Sequence, residues 1–386
     1  MKLAILTDGI FPYVIGGMQK HSFYLTKFLV AQGIDVTLYH CATKGEIPSE
    51  KQVKEDLEIP FDAQFRSVCL RFPKGNGLPG HYLRANYLYS INQSKDILEQ
   101  KFDFIYAKGF SAWHLLELKR KKKAQLPPIG VKFHGYEMFQ GAPNFKTKLQ
   151  HHLLRGPVKF NNVHADYVFS YGGKINPIVE SLGVKKNKII EIPTGIAASW
   201  LRDPSELNET QNKLLFIGRY ERRKGIEELN QALLEVMNET SFEVEFIGPI
   251  PGSKMIKHPR IKYHGTIMDQ TELKKIMDKC GVLLCPSHSE GMPNVIMEGM
   301  ARGLAVLATN VGAVPIQVDE QNGWLITPAN LNQLAQTLKT IDAIQPDELM
   351  KKRRFGLQKI KDKFTWEKVA QQTKNELEQV CVSPVS

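Results

Sequence analysis

The sequence predicts an α/β protein made of two Rossmann-like, doubly wound parallel-sheet domains. Three observations lead there. A chain of 386 residues is long enough for about two domains, each with its own core. Short unbroken apolar runs alternate with helical stretches in both halves, and strands buried on both faces read as such runs rather than as alternating ones. The alternation loosens once, near the middle. In the first half the runs lie at 3–6, 34–39, 103–106, 129–133, 167–170 and 189–192, with helical segments such as 17–32 and 82–100 between them. The stretch TGIAA, Thr194 to Ala198, followed by the polar SELNETQN at Ser205 to Asn212, places a hinge. Strands then resume near 214, 243, 261, 282, 305 and 324, and residues from about 345 read as terminal helices broken near Phe364 and Thr365.

The most informative motif is the run from Ser289 to Gly303, SEGMPNVIMEGMARG, with seven residues between Glu290 and Glu298. It follows GVLLCP, Gly281 to Pro286, an apolar strand, so Glu290 falls at a strand's carboxyl end, where open α/β sheets bind ligands. Pro293 suits the first turn of a helix, which leaves Asn294 and Val295 with N–H groups and the positive end of a helix dipole for a phosphate. Side chains lean toward a helix N-terminus, so Glu298 in the second turn reaches back to the same place. Carboxylates accept paired hydrogen bonds from vicinal hydroxyls, which sugars carry. The alternative is a solvated loop glutamate and an exposed helix glutamate. A second element, KLLFIGRYERRKGI from Lys213 to Ile226, is an apolar strand followed by Arg219 and Lys224. Both cations suit a diphosphate, or else cap the next helix. Arg222 and Arg223 read as solvated.

In the first half, Gly16 and Gly17 lie between strand and helix, where missing side chains admit a phosphate or sugar to the backbone, or simply make a turn. His134 ends the run IGVKF, and Glu137 either orients a ligand or begins the next helix.

These pieces together resemble the retaining glycosyltransferases of GT-B fold in glycosyltransferase family 4 (glycosyl transferases group 1). The resemblance rests on Gly218-Arg219 with Lys224-Gly225, the Glu290 to Glu298 block continuing through Thr309, and Asn322-Gly323 before Trp324. It also rests on DGIFP from Asp8 to Pro12 with Gly16-Gly17, on HGYE from His134 to Glu137, and on FTWE from Phe364 to Glu367. It implies two domains facing a cleft: residues 1–195 with about 367–386 for the acceptor, and 196–366 for a nucleotide-sugar donor. The last helix would cross back to the first domain. It implies a UDP- or GDP-sugar as donor, no cofactor and retention of configuration. His134, Arg219, Lys224 and Glu290 would be catalytic. Gly16, Gly17, Gly291, Met292, Asn294, Val295 and Glu298 would complete the donor site, and His134 with Glu137 would face the acceptor. Two departures stand out. Thr194-Gly195-Ile196-Ala197 replaces a frequent Asn-Gly-Ile/Val-Asp, and Pro293 replaces a frequent glycine and removes one donor.

No Asp-x-Asp pair occurs to hold a divalent ion on a diphosphate, so metal-independent transfer is expected, with cations and helix dipole taking the charge. Residues 1–195 contain 27 Lys and Arg against 16 Asp and Glu, while the rest is balanced, so the whole net charge of +11 lies in the first half. That implies an anionic acceptor or an anionic membrane surface. Contributors are Lys119 to Lys123, the stretch from Arg71 to Arg84, and Lys146, Lys148, His151, His152, Arg155 and Lys159. Solvated faces are the plainer explanation. No stacking motif or recognition helix accompanies the charge, so nucleic acid is not expected. Five cysteines without metal or disulfide spacing suggest a reducing cytoplasm, and the amino terminus lacks a signal-peptide pattern. No run of about 20 apolar residues exists to span a bilayer, so at most peripheral association with its inner face is expected.

One decoy is GNGLPG, Gly75 to Gly80, after the apolar VCLRF at Val68 to Phe72, which matches a dinucleotide fingerprint. The acid that fingerprint needs at the next strand end is absent, since Lys108-Gly109 stands there. Two rivals remain: a sugar-nucleotide epimerase of the same fold and a catalytically silent scaffold.

Overall fold

The protein is described by a computed structural model covering residues 1–42, 46–73, 80–140, 145–207 and 213–382, with the side chains of residues 145 and 146 left aside. The decoy glycine loop at 75–79 lies outside the described residues. The chain divides into two compact units, Met1–Gly195 with Trp366–Ser386, and Ile196–Thr365.

The first unit runs β1 (Lys2–Leu6), α1 (Gly17–Ala31), β2 (Asp35–Ala42), α2 (Glu50–Asp56), β3 (Phe65–Arg71), α3 (His81–Ile97), β4 (Phe104–Lys108), α4 (Trp113–Arg120), β5 (Ile129–Lys132), α5 (Phe145–His164), β6 (Tyr167–Ser170), α6 (Ile175–Ser181) and β7 (Ile189–Glu191). Its parallel sheet has the order β3-β2-β1-β4-β5-β6-β7. Six of these strands coincide with apolar runs. The seventh, β3, contains Val68 to Arg71 of the run read only as a prelude to the glycine loop; it is half exposed along most of its length and so lacks a continuous buried apolar signature.

The second unit runs β8 (Lys213–Ile217), α7 (Ile226–Val236), β9 (Glu243–Ile247), β10 (Ile261–Tyr263), α8 (Gln270–Met277), β11 (Val282–Cys285), α9 (Asn294–Ala301), β12 (Ala305–Thr309), α10 (Val314–Gln317), β13 (Gly323–Ile326), α11 (Leu331–Asp342) and α12 (Pro346–Lys363). Its parallel sheet has the order β10-β9-β8-β11-β12-β13. The last helix, α13 (Trp366–Val382), belongs to the first unit and packs on α1. Trp366 and Val369 join the core built from β1, β2 and α1.

Each sheet reverses its order once, between β1 and β4 and between β8 and β11. Loops leaving such neighbours part to opposite sides and open a crevice at the carboxyl edge. Among the described residues no helix is long and apolar enough to cross a membrane, and the five cysteines are free.

Candidate functional site

In the second unit the loops after β8 and β11, at the reversal, are locked together. Glu290 is 6% exposed, and its carboxylate accepts three hydrogen bonds. Lys224 Nζ donates to Oε1 at 2.7 Å, Ser287 Oγ to Oε1 at 2.8 Å and Arg223 Nη1 to Oε2 at 3.1 Å. Arg223 also donates to the carbonyl of Ser289, and the N–H of His288 donates back to the Arg223 carbonyl. Two cations compensate a buried carboxylate that would otherwise be costly. Glycine makes this approach possible at two points. Gly225 has φ +67, and a Cβ there would lie 1.9 Å from the Pro286 oxygen. Gly312, after β12, has φ +52, and a Cβ would meet the Glu290 oxygen at 2.1 Å. The N–H of Ala313 then donates to Gly291 at 2.7 Å, fixing Gly291 beside Met292, both buried.

Helix α9 begins at Asn294, one residue later than the sequence suggests, with Pro293 as its cap. Gln317 Nε2 holds the Pro293 carbonyl at 3.1 Å. Asn294 and Val295 occupy the first turn, where the helix offers their N–H groups no acceptor of its own. Glu298 lies in the second turn, partly buried.

The expectation that Arg223 is solvated needs correction. Arg219, expected beside Lys224, is 71% exposed along its side chain and pairs with Glu221 at 2.9 Å. Arg223, expected in solvent, is the arginine on Glu290. The cause is the 3-10 turn Arg222–Lys224, which carries two consecutive side chains toward the β11 loop while Arg219 leaves the strand earlier. Arg222 turns instead to Glu228.

In the first unit the polar groups gather at the other reversal. Asp8 follows β1, and burial pushes its carboxyl up to about 6, although Gln19 Nε2 donates to it at 3.1 Å. Gln19 lies over Gly16, where a Cβ would strike its Oε1 at 2.2 Å. Gly16 and Gly17 therefore open α1 within this network. Lys108, the last residue of β4, shares a 2.6 Å hydrogen bond between Nζ and His21 Nδ1. Lys132, the last of β5, donates to the Ile192 carbonyl at 2.6 Å and lies 4.2 Å over the Tyr171 ring. Both lysines are fully buried, and burial holds their ammonium groups well below the ordinary lysine range.

His134 Nδ1 and the Tyr171 hydroxyl share a 2.5 Å hydrogen bond, and the His134 and His21 rings meet edge to face at 4.8 Å. Burial holds His134 well below the usual histidine range, with Lys108 and Lys132 adding to it. Its Nε2 has no hydrogen-bond partner among the described residues. Glu137 opens a 3-10 turn, and its carboxylate folds back over Gly135.

Residues 15–200 match the family model described as Glycosyltransferase Family 4, and residues 211–342 match the one described as Glycosyl transferases group 1. The chain belongs to glycosyltransferase family 4. This family 4 chain is 29% identical over 218 residues to an uncharacterized glycosyltransferase of Methanocaldococcus jannaschii, a match covering 54% of this chain and 58% of that one. Its fold is similar to sucrose-phosphate synthase from Thermosynechococcus elongatus, with TM-score 0.75, 19% identity and 99% of each chain covered. It is also similar to an Anabaena protein in complex with UDP and glucose, with TM-score 0.66, 16% identity and 98% and 99% covered. The likeness is one of fold, GT-B, in accord with the two parallel sheets described above.

Within this family 4 chain, sequence reasoning read Arg223 as solvated and passed over Ser287 in the second unit. In the first it passed over His21, Lys108, Lys132 and Tyr171. The lysines had left a signal, since each ends an apolar strand. The others had none, because their neighbours are supplied by distant loops.

Proposed function

We propose that this family 4 chain transfers a glycosyl group from a nucleoside diphosphate sugar to an acceptor hydroxyl, with retention and without a metal. One observation carries the reading: at the reversal of the second sheet, a buried glutamate sits against Lys224 and Arg223, in the loop that leads into the N-terminus of α9. Lys224, Arg223 and the N–H groups of Asn294 and Val295 supply positive charge for a departing diphosphate, and preorganised charge of this kind lowers the barrier to bond cleavage. Glu290, with the backbone of Gly291 and Met292, accepts and orients sugar hydroxyls, and Glu298 holds the ribose. Arg219 is positioned to close on the diphosphate only by leaving Glu221. The Anabaena neighbour's complex with UDP and glucose supports a UDP-sugar as the first donor to try.

The bond from the anomeric carbon to the phosphate oxygen breaks with its electron pair going to the diphosphate. The acceptor hydroxyl oxygen attacks that carbon from the same face, and its proton passes to the departing phosphate oxygen. In the first unit, Gly16, Gly17, His134 and Glu137 serve the sugar and the acceptor, and the basic excess there suits a glycan or glycolipid acceptor carrying negative charge.

The test is incubation with UDP-, GDP- and ADP-sugars in EDTA, following anomeric signals by NMR, with Glu298→Ala as control. Slow release of free sugar from one donor, lost in the variant, supports the reading. Epimerised donor would place the chain among isomerases, and absence of both binding and cleavage would favour a scaffold.

A further inference from the structure

We propose that Lys108 is a positioning residue of the first unit: through His21 it sets the ring of His134. The inference rests on the role proposed above for His134 toward sugar and acceptor.

Five elements meet at this point. His21 stands on α1, Lys108 ends β4, His134 follows β5, Tyr171 follows β6 and Trp366 opens α13. The two imidazoles are held alike. Each has its Nδ1 against a buried side chain, Lys108 Nζ at 2.6 Å for His21 and the Tyr171 hydroxyl for His134. Each also has an Nε2 without a hydrogen-bond partner among the described residues. The His21 ring meets His134 edge to face at 4.8 Å and Trp366 edge to face at 5.0 Å. Its plane is therefore fixed by its neighbours, and the choice between the two ways of lying in that plane falls to Lys108. A half-turn of the ring would set a carbon against Nζ and give up the hydrogen bond. In the proposed arrangement the amine donates to Nδ1, which leaves the His21 proton on Nε2 and both rings neutral. His134 is then held in one plane between His21 and Tyr171.

Packing alone does not account for this lysine. It is 1% exposed and forms no ion pair among the described residues. Lys132, its partner in register on β5, repels it, and Asp8 attracts it without pairing. A buried amine in such a place costs more than a methionine of similar length would. Its side chain makes one hydrogen bond among the described residues, the one to His21. What the lysine contributes is the setting of that ring.

The experiment compares the full chain with Lys108→Met, both labelled with nitrogen-15 in the histidine rings, with His21→Phe and His134→Phe used to assign the two signals. In the unaltered chain both rings are expected to carry the proton on Nε2. In Lys108→Met the His21 signals should move to a mixture of tautomers and those of His134 should shift with them, while the melting temperature holds or rises. Release of sugar from a UDP-sugar should fall about tenfold in kcat with KM unchanged, since the second unit is proposed to hold the diphosphate. In a His21→Phe background Lys108→Met should cause no further fall. A lower melting temperature with unmoved His134 signals would mark Lys108 as a structural residue and overturn the proposal. So would a His21 proton on Nδ1 in the unaltered chain, a change in KM alone, or a second fall of equal size in the His21→Phe background. Absence of sugar release from the unaltered chain would count against the transfer reaction, and the nitrogen signals of Lys108→Met would still decide whether this lysine sets the rings.

Discussion

Replacing Glu290 by glutamine keeps the shape of the side chain and removes one acceptor. In the structure Oε1 receives Lys224 and Ser287 while Oε2 receives Arg223. Whichever way the amide is turned, its NH2 faces a cation, and a donor meets a donor. A hydrogen bond to a charged group contributes about 1.5–3 kcal/mol. Lys224 and Arg223 are 19% and 30% exposed along their side chains, so water recovers part of this. The expected cost is about 1–2 kcal/mol, or about 2–8 °C in the melting of a unit of this size. Calorimetry measures it, in a double-mutant cycle with Arg223→Met, where a coupling of about 1 kcal/mol is expected. If Glu290→Gln melts like the unaltered chain, or Arg223→Met costs as much with glutamine present as without it, the three-way contact is not what holds these loops together. Sugar release in the same variant should fall about a hundredfold, which reports separately on the proposed role.

Three further outcomes are expected. Gly225→Ala must place a side chain at φ +67 against the Pro286 oxygen, so it should cost about 2 kcal/mol or more in urea unfolding and weaken nucleotide binding, and an unchanged midpoint would refute the close approach. Asp8, pushed up to about 6 from 3.8, keeps a proton in the folded chain between about pH 4 and 6 that the unfolded chain releases, so its contribution is lost as pH rises through 6. Asp8→Asn should therefore raise the melting temperature above pH 6 by more than it does near pH 4, and a gain independent of pH would refute this. Burial keeps the Tyr171 phenol protonated, and its hydroxyl shares a hydrogen bond with His134 Nδ1; the expected arrangement has the O–H donating and the ring proton on Nε2. Tyr171→Phe should mix the two ring tautomers in nitrogen-15 NMR and lower kcat about tenfold; an unchanged tautomer would show that Tyr171 does not position the ring.

Much of the architecture was written in local pattern. Strands covered on both faces are largely apolar, so twelve of the strands announce themselves; β3 does not, because it is half exposed along most of its length. Glu290 at a strand end and Asn294 at a helix start were legible for the same reason, since both follow from short-range spacing. The order of strands was not legible, and it decides which loops meet: β8 beside β11 sets Lys224 against Glu290 across 66 residues of sequence.

Within the same six residues, Arg219 and Arg223 look alike as text. The 3-10 turn and the glycines at 225 and 312 carry one to the buried carboxylate and leave the other in solvent. Lys108 and Lys132 could be seen in apolar strands, yet their partners, His21 and the Ile192 carbonyl, lie 87 and 60 residues away. The chain by itself determined the two parallel sheets, their helices and the strand ends that carry charge, because burial and propensity act over a few residues. Tertiary structure alone decided which charges are paired, because Coulomb attraction and desolvation depend on distance in space and not along the chain.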